Sequence, residues 1–148
     1  MALESASHYV LVAGEPSGDA LGADLMLAIR AEQPNAQFSG VGGQLMQAAG
    51  LTDWFDIEAL SVNGFVAPLL KLPMLINLIW RLRRRCLALQ PAAFIGVDFN
   101  FFNLLLAGLL KRAQIPTVYY VLPSVLAWRK GRIHSIKRRV DLMLTLYP

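Results

Sequence analysis

The chain has 148 residues, of which 55% are hydrophobic and only 16% are charged, with one cysteine and a net charge of +4. This composition excludes an intrinsically disordered chain, and a single cysteine excludes an internally disulfide-bonded scaffold. Residues 1–60 hold one basic and eight acidic side chains, whereas residues 61–148 hold thirteen basic and two acidic ones, so the second half favours contact with anionic lipid, phosphate or nucleic acid.

Short β-rich runs alternate with helix-length segments along the chain. The runs that predict strands are 8–13, 37–41, 93–98, 117–122 and 141–146. The segments that predict helices are about 18–32, 74–89, 100–113 and 131–139. Strands joined by helices form βαβ units with right-handed crossovers. The pattern therefore predicts one α/β domain over residues 8–148, a Rossmann-like doubly wound parallel sheet, after a tail of residues 1–7 that carries no export signal.

A glycine-rich segment follows the first predicted strand, where a doubly wound sheet binds its ligands. It reads Gly14-Glu15-Pro16-Ser17-Gly18-Asp19. The two glycines allow a tight turn, and Ser17 or Asp19 can cap the helix that follows. Carboxylates at Glu15 and Asp19 suit a sugar hydroxyl better than a phosphate. The alternative is a plain strand-to-helix turn without a ligand.

Two further segments follow predicted strands. Asp98 closes an apolar strand next to aromatic residues, where desolvation raises the pKa of a carboxyl group and favours a general base. The alternative for Asp98 is a cap of the next helix. Trp128 and Arg129 lie in a basic segment that suits stacking on a ring or binding of a phosphate, or else forms a solvated basic helix.

The most apolar stretch, residues 64–80, is followed at once by Arg81, Arg83, Arg84 and Arg85. Internal proline and polar residues argue against a membrane span, so the stretch favours peripheral insertion at an anionic interface, with an ordinary buried helix as the alternative.

The histidines and the cysteine give no sign of a metal or thiol site. His8 and His134 have no second histidine or cysteine at ligand spacing, so we expect no metal site. Cys86 has no nearby histidine and is predicted to be an inert thiol.

These segments in this order resemble the lipid-A-disaccharide synthase family of GT-B glycosyltransferases. The resemblance runs from about residue 8 to the end of the chain. The matching residues are Val12 to Asp19 with Gly22, Gly40 to Gly43 with Met46, Leu60 to Gly64, Phe94 to Asp98, Phe102-Asn103, and Pro123 to Val125 with Ala127 to Arg129.

The resemblance implies transfer of a diacylglucosamine from UDP-2,3-diacylglucosamine to 2,3-diacylglucosamine 1-phosphate, with release of UDP and no cofactor. It implies that this chain is the acceptor-side domain of a two-domain enzyme whose C-terminal, nucleotide-sugar-binding domain lies outside these residues. Asp98 is then the catalytic base. The implied substrate-binding residues are Gly14, Glu15, Ser17, Gly18, Asp19, Asn103, Pro123, Ser124, Trp128 and Arg129.

The resemblance also implies a cytoplasmic protein that associates peripherally with the inner membrane, where both acylated substrates reside. The implied membrane-facing residues are Phe65, Val66, Leu69, Leu70, Leu72, Leu75 and Ile76. The chain departs from the family pattern by apolar or amide residues at Asn100, Phe101, Leu122 and Leu126. These departures leave open a pocket tuned to a different substrate, a non-catalytic membrane-associated paralogue, or a truncated fragment of the family. Nucleic-acid binding by the basic half is a third hypothesis, although no known motif supports it.

Overall fold

The computed structural model describes residues 7–14, 16–55, 68–97, 101–121 and 142–145. The strands are β1 (His8–Ala13), β2 (Gln37–Val41), β3 (Leu51–Asp53), β4 (Ala93–Val97), β5 (Thr117–Val121) and β6 (Leu142–Thr145). The helices are α1 (Pro16–Glu32), α2 (Gln44–Ala48), α3 (Pro68–Leu89) and α4 (Phe101–Arg112).

All six strands form one parallel sheet in the order β3-β2-β1-β4-β5-β6. The central strand β1 pairs with β2 on one side, Val12 opposite Val41, and with β4 on the other, Val12 opposite Gly96. This order confirms the predicted doubly wound α/β fold. The strand order reverses between β1 and β4, and that reversal defines the switch point at which such sheets bind ligands.

Helices cover both faces of the sheet, and alternate residues of β1 contribute to the two cores. Val10 and Val12 pack with α3 and α4, whereas Leu11 and Ala13 pack with α1 and α2. Side chains of a strand alternate between the faces of a sheet, and a parallel sheet covered on both sides buries all of them. The apolar run of β1 is therefore explained by the core alone.

The element boundaries follow the sequence prediction closely except at α3. Strands β1 and β2 have the predicted ends, and β4, β5 and β6 match the predicted strands at every described position, while residues 98, 122, 141 and 146 lie outside the described residues. Helix α3 begins six residues earlier than predicted, at Pro68, although Pro73 lies inside it. Proline is favoured as the first residue of a helix, because its missing N–H would have no partner there. The predicted helix over 131–139 lies outside the described residues.

Two short elements, α2 and β3, were missed by the sequence analysis. Helix α2 has five residues and β3 has three, so neither is long enough to show a periodic pattern. Strand β3 lies at the edge of the sheet and buries only Leu51.

Among the described residues, no helix has both the length and the apolar character needed to cross a bilayer.

Candidate functional site at the switch point of the sheet

Asn103 joins the ends of β1 and β4 at the switch point. It lies in the first turn of α4, and its side chain is fully buried. Its amide nitrogen donates hydrogen bonds to the main-chain oxygens of Val12, at 3.0 Å, and Val97, at 3.1 Å. The side chain packs over Gly96, where an added Cβ would lie 3.4 Å from the Asn103 Cβ. One amide thus connects the two strands that flank the switch point.

Asp19 makes a second connection at the same edge of the sheet, between α1 and α2. Its carboxylate accepts hydrogen bonds from the backbone N–H groups of Gly43 at 2.9 Å, Leu45 at 3.1 Å and Met46 at 3.0 Å. Gly43 is the N-cap residue of α2 and has no side chain that could accept hydrogen bonds from these N–H groups. The negative charge of Asp19 also suits the positive end of the helix dipole. The loop after β2 is therefore attached to the helix after β1.

The predicted sugar-binding loop lies at the carboxyl end of β1. Gly14, Gly18 and Asp19 are buried, whereas Ser17 in the first turn of α1 is exposed. Asp19 was predicted to cap its own helix or to orient a sugar hydroxyl, whereas in the structure its carboxylate accepts hydrogen bonds from the N-terminus of α2. Nothing in the sequence marks this contact, because Asp19 and Met46 are 27 residues apart.

Of the other predicted site residues, one is buried and the rest lie outside the described residues. Asn103 is described, and its full burial contrasts with the substrate contact expected from the sequence. The positions outside the described residues are Glu15, Asp98, Pro123, Ser124, Trp128 and Arg129. Their roles, and the substrate roles of Gly14, Ser17, Gly18, Asp19 and Asn103, stay predictions.

An apolar groove of about 670 Å³ lies between α3 and α4. Ile76 and Trp80 of α3 and Leu105 and Leu109 of α4 line it, with Lys111 and Arg112 at the end of α4. The side chains of Ile76 and Trp80 are 46% and 51% exposed. The groove is therefore an apolar surface bordered by basic side chains.

The predicted membrane-facing residues fall unequally on this surface. Ile76 is exposed, whereas Leu75 is half-buried and packs against the core. Leu69, Leu70 and Leu72 belong to the described helix α3, but their side chains lie outside the description. Phe65 and Val66 precede α3 and lie outside the described residues.

Two of the four arginines within residues 81–85 stack on Trp54 and Phe55, the aromatic pair that follows β3. The guanidinium of Arg81 lies 4.8 Å from the centre of the Phe55 ring, and that of Arg85 lies 5.3 Å from the centre of the Trp54 ring. Such contacts stabilise a cation at an aromatic face. Arg81 and Arg85 therefore have partners within the domain, a use that the sequence analysis did not anticipate.

Burial shifts the pKa values of both Cys86 and His8. Burial raises the pKa of the Cys86 thiol to about 12, which agrees with the predicted inert thiol. The His8 ring forms a 2.7 Å hydrogen bond with the Ser39 hydroxyl, and burial lowers the pKa of His8. Within the described ranges, no three histidine, cysteine or acidic side chains come together as a possible metal site.

Comparison with known proteins gives consistent matches along the chain. A family model described as lipid-A-disaccharide synthetase matches residues 9–148. Curated relatives called lipid-A-disaccharide synthase include one from Alkalilimnicola ehrlichii, 51% identical over 95% of this chain and 37% of its own length. Another, from Klebsiella pneumoniae, is 46% identical over 100% of this chain and 39% of its own length. The chain thus spans less than two fifths of the length of these relatives.

A solved structure supports the fold independently of close sequence similarity. The crystal structure of Acinetobacter baumannii MurG matches with a TM-score of 0.61 at 14% identity, over 96% of this chain and 41% of that protein. At this identity the match establishes the fold alone. The family model, by contrast, covers nearly all of the sequence. The chain belongs to the lipid-A-disaccharide synthetase family.

Proposed function

We propose that this chain is the acceptor-side domain of a lipid-A-disaccharide synthase. The reaction transfers a diacylglucosamine from UDP-2,3-diacylglucosamine to 2,3-diacylglucosamine 1-phosphate and releases UDP. The observation that carries the proposal is the 46–51% identity to relatives of that name over 95–100% of the chain. A doubly wound sheet supports it, because the predicted base follows β4 at the switch point.

The proposed chemistry begins at Asp98. Its carboxylate takes the proton from the acceptor hydroxyl as that oxygen attacks the anomeric carbon of the donor sugar, and the bond to UDP breaks. Its negative charge also stabilises the oxocarbenium-like transition state of glycosyl transfer. Glu15 and Ser17 orient sugar hydroxyls above the end of β1. Arg129 binds the acceptor phosphate, which suits the fork of guanidinium donors.

We also propose that the α3–α4 surface docks on an anionic membrane. Met74, Ile76 and Trp80 are each about half exposed. Neither helix contains an acidic residue, Arg112 lines the apolar groove, and the side chains of Arg84 and Arg112 are exposed. Apolar insertion combined with basic side chains is the usual basis of peripheral binding, with each cation near the surface contributing about 1 kcal/mol.

The activity is tested in a protein of the relatives' full length. We would join residue 148 to the part of the Alkalilimnicola ehrlichii relative beyond its matched region and measure acceptor-dependent UDP release. Asp98→Asn should lower kcat by about 10²- to 10⁴-fold, the usual contribution of a general base. Asp24→Asn, at an exposed position of α1, is the matched control.

The outcomes separate the hypotheses. A full rate in Asp98→Asn contradicts the base assignment while leaving the transferase intact. An inactive fusion, measured beside an active full-length relative, contradicts the proposed function and favours a non-catalytic paralogue. Retention of nucleic acid on a filter at physiological salt would support the remaining hypothesis for the basic half.

Membrane docking is tested by flotation with vesicles that contain or lack an anionic phospholipid. The paired change Ile76→Ser and Trp80→Ser should reduce binding to anionic vesicles, and added salt should reduce it further. The control pair is Leu27→Ser with Leu45→Ser, which are 55% and 54% exposed and belong to α1 and α2 on the other face of the sheet. Equal losses in both pairs would contradict the assignment of the α3–α4 surface.

A further inference from the structure

We propose that Asn103 is a positioning residue of the transfer reaction, acting through Asp98 and not through contact with substrate. The inference rests on the proposed function, since it concerns the base that the proposal assigns. Its starting point is the pair of hydrogen bonds from one amide nitrogen to the ends of β1 and β4.

The bond to Val97 acts directly on the connection to Asp98. The Val97 oxygen belongs to the peptide unit that joins Val97 to Asp98, and such a unit is planar. A hydrogen bond of 3.1 Å to this oxygen therefore restrains the orientation of the whole unit. Asn103 thereby limits the directions in which the chain leaves β4.

The bond to Val12 ties the same amide to the predicted sugar-binding loop. Val12 lies two residues before Gly14, and its oxygen accepts the second hydrogen bond at 3.0 Å. Asp98 and the loop from Gly14 to Asp19 are far apart in sequence, but they follow strands joined by one side chain. The same amide therefore holds together the two strand ends that precede the proposed base and the predicted sugar-binding loop.

The surroundings of Asn103 explain why a polar side chain is required there. Its neighbours along α4 on the buried face, Leu106, Ala107 and Leu110, are fully buried and apolar. Burying an amide among them costs free energy unless it is hydrogen-bonded. An apolar side chain at this position would have no donor for the main-chain oxygens of Val12 and Val97, and the asparagine supplies hydrogen bonds to both.

The expected consequence falls on kcat. A base works within hydrogen-bonding reach of the proton, about 2.6–3.2 Å, and a displacement of about 1 Å costs about 10²-fold in rate. A residue that orients the base without touching substrate should leave substrate affinity nearly unchanged. Loss of the Asn103 amide should therefore separate kcat from KM.

The experiment uses the full-length fusion described above with Asn103→Ala and Asn103→Asp. The aspartate keeps the shape but replaces the donor nitrogen with an acceptor oxygen, so both bonds are lost. We expect kcat to fall about 10- to 100-fold with KM for the UDP-sugar changed less than about threefold. Leu106→Ala, one turn further along α4, is the control for lost packing and should leave kcat within about twofold, because it keeps both hydrogen bonds.

A double-mutant cycle with Asp98→Asn tests whether Asn103 acts through the base. If it does, Asn103→Ala should lower the residual rate of Asp98→Asn by less than about threefold, because there is no longer a base to misplace. The same fold loss in both backgrounds would overturn the inference, as would a kcat loss in Leu106→Ala equal to that of Asn103→Ala. An inactive unsubstituted fusion would instead reject the proposed function, so the two failures are distinguishable.

Discussion

Removal of the Asp19 carboxylate should destabilise the domain through α2. Three backbone N–H groups lose their acceptor in Asp19→Ala, and they differ in exposure. Met46 is fully buried, so its N–H is left without water, at a cost of about 1–3 kcal/mol. Gly43 and Leu45 are accessible, so each exchanges a hydrogen bond for water at about 0.5 kcal/mol. The expected loss in the free energy of unfolding is therefore about 2–4 kcal/mol.

The variant Asp19→Asn refines the expectation. Oδ1 accepts from both Gly43 and Met46, whereas Oδ2 accepts only from Leu45. An asparagine keeps one oxygen and so retains the buried bond, which limits the loss to about 1 kcal/mol. Urea unfolding followed by circular dichroism measures both variants, with the exposed Asp24→Ala as control within about 0.5 kcal/mol. Equal stability of Asp19→Ala and the unsubstituted chain would refute the capping argument.

Three further predictions concern backbone conformation and titration. Gly40→Ala should lower the free energy of unfolding in urea by more than about 3 kcal/mol, because Gly40 has φ of +139° and an added Cβ would meet the Leu11 main-chain oxygen. In the control Gly22→Ala, the three atoms nearest to the added Cβ all belong to the flexible Met46 side chain, so the loss should be less than about 1 kcal/mol. Similar losses in the two variants would contradict this reasoning. The buried Cys86 thiol should resist alkylation in the native chain. The free energy of unfolding should fall as pH rises from about 9 towards about 12, because the thiol ionises at lower pH in the unfolded chain than in the folded one. The same decline in a Cys86→Ala variant would refute the assignment to this thiol. Burial lowers the pKa of His8, so as pH falls the unfolded chain binds a proton at this ring before the folded chain does, and the free energy of unfolding should fall as pH drops through 6.5. His8→Asn should show a shallower decline with pH. An unchanged slope in that variant would contradict the assignment to His8.

The elements that the sequence predicted well are those with a long local pattern. The continuous apolar run of β1 and the spaced leucines of α1 each extend over a full element, so their type is readable from neighbours in the chain. Helix α2 and strand β3 were missed because they are short. The N-terminus of α2 depends on a carboxylate from another helix, which no local pattern reveals.

By itself the sequence determined the fold class, the order of the main elements and the family, since periodicity, glycine-rich turns and family motifs are properties of consecutive residues. Only the tertiary structure decided the partners of Asn103, Asp19 and Arg85. The Asn103 amide bonds Val12 across 91 residues, and Arg85 stacks on Trp54 of a separate segment. Such contacts arise because the sheet brings distant strand ends and helix faces together, and a buried polar group then bonds whichever partner the fold places beside it.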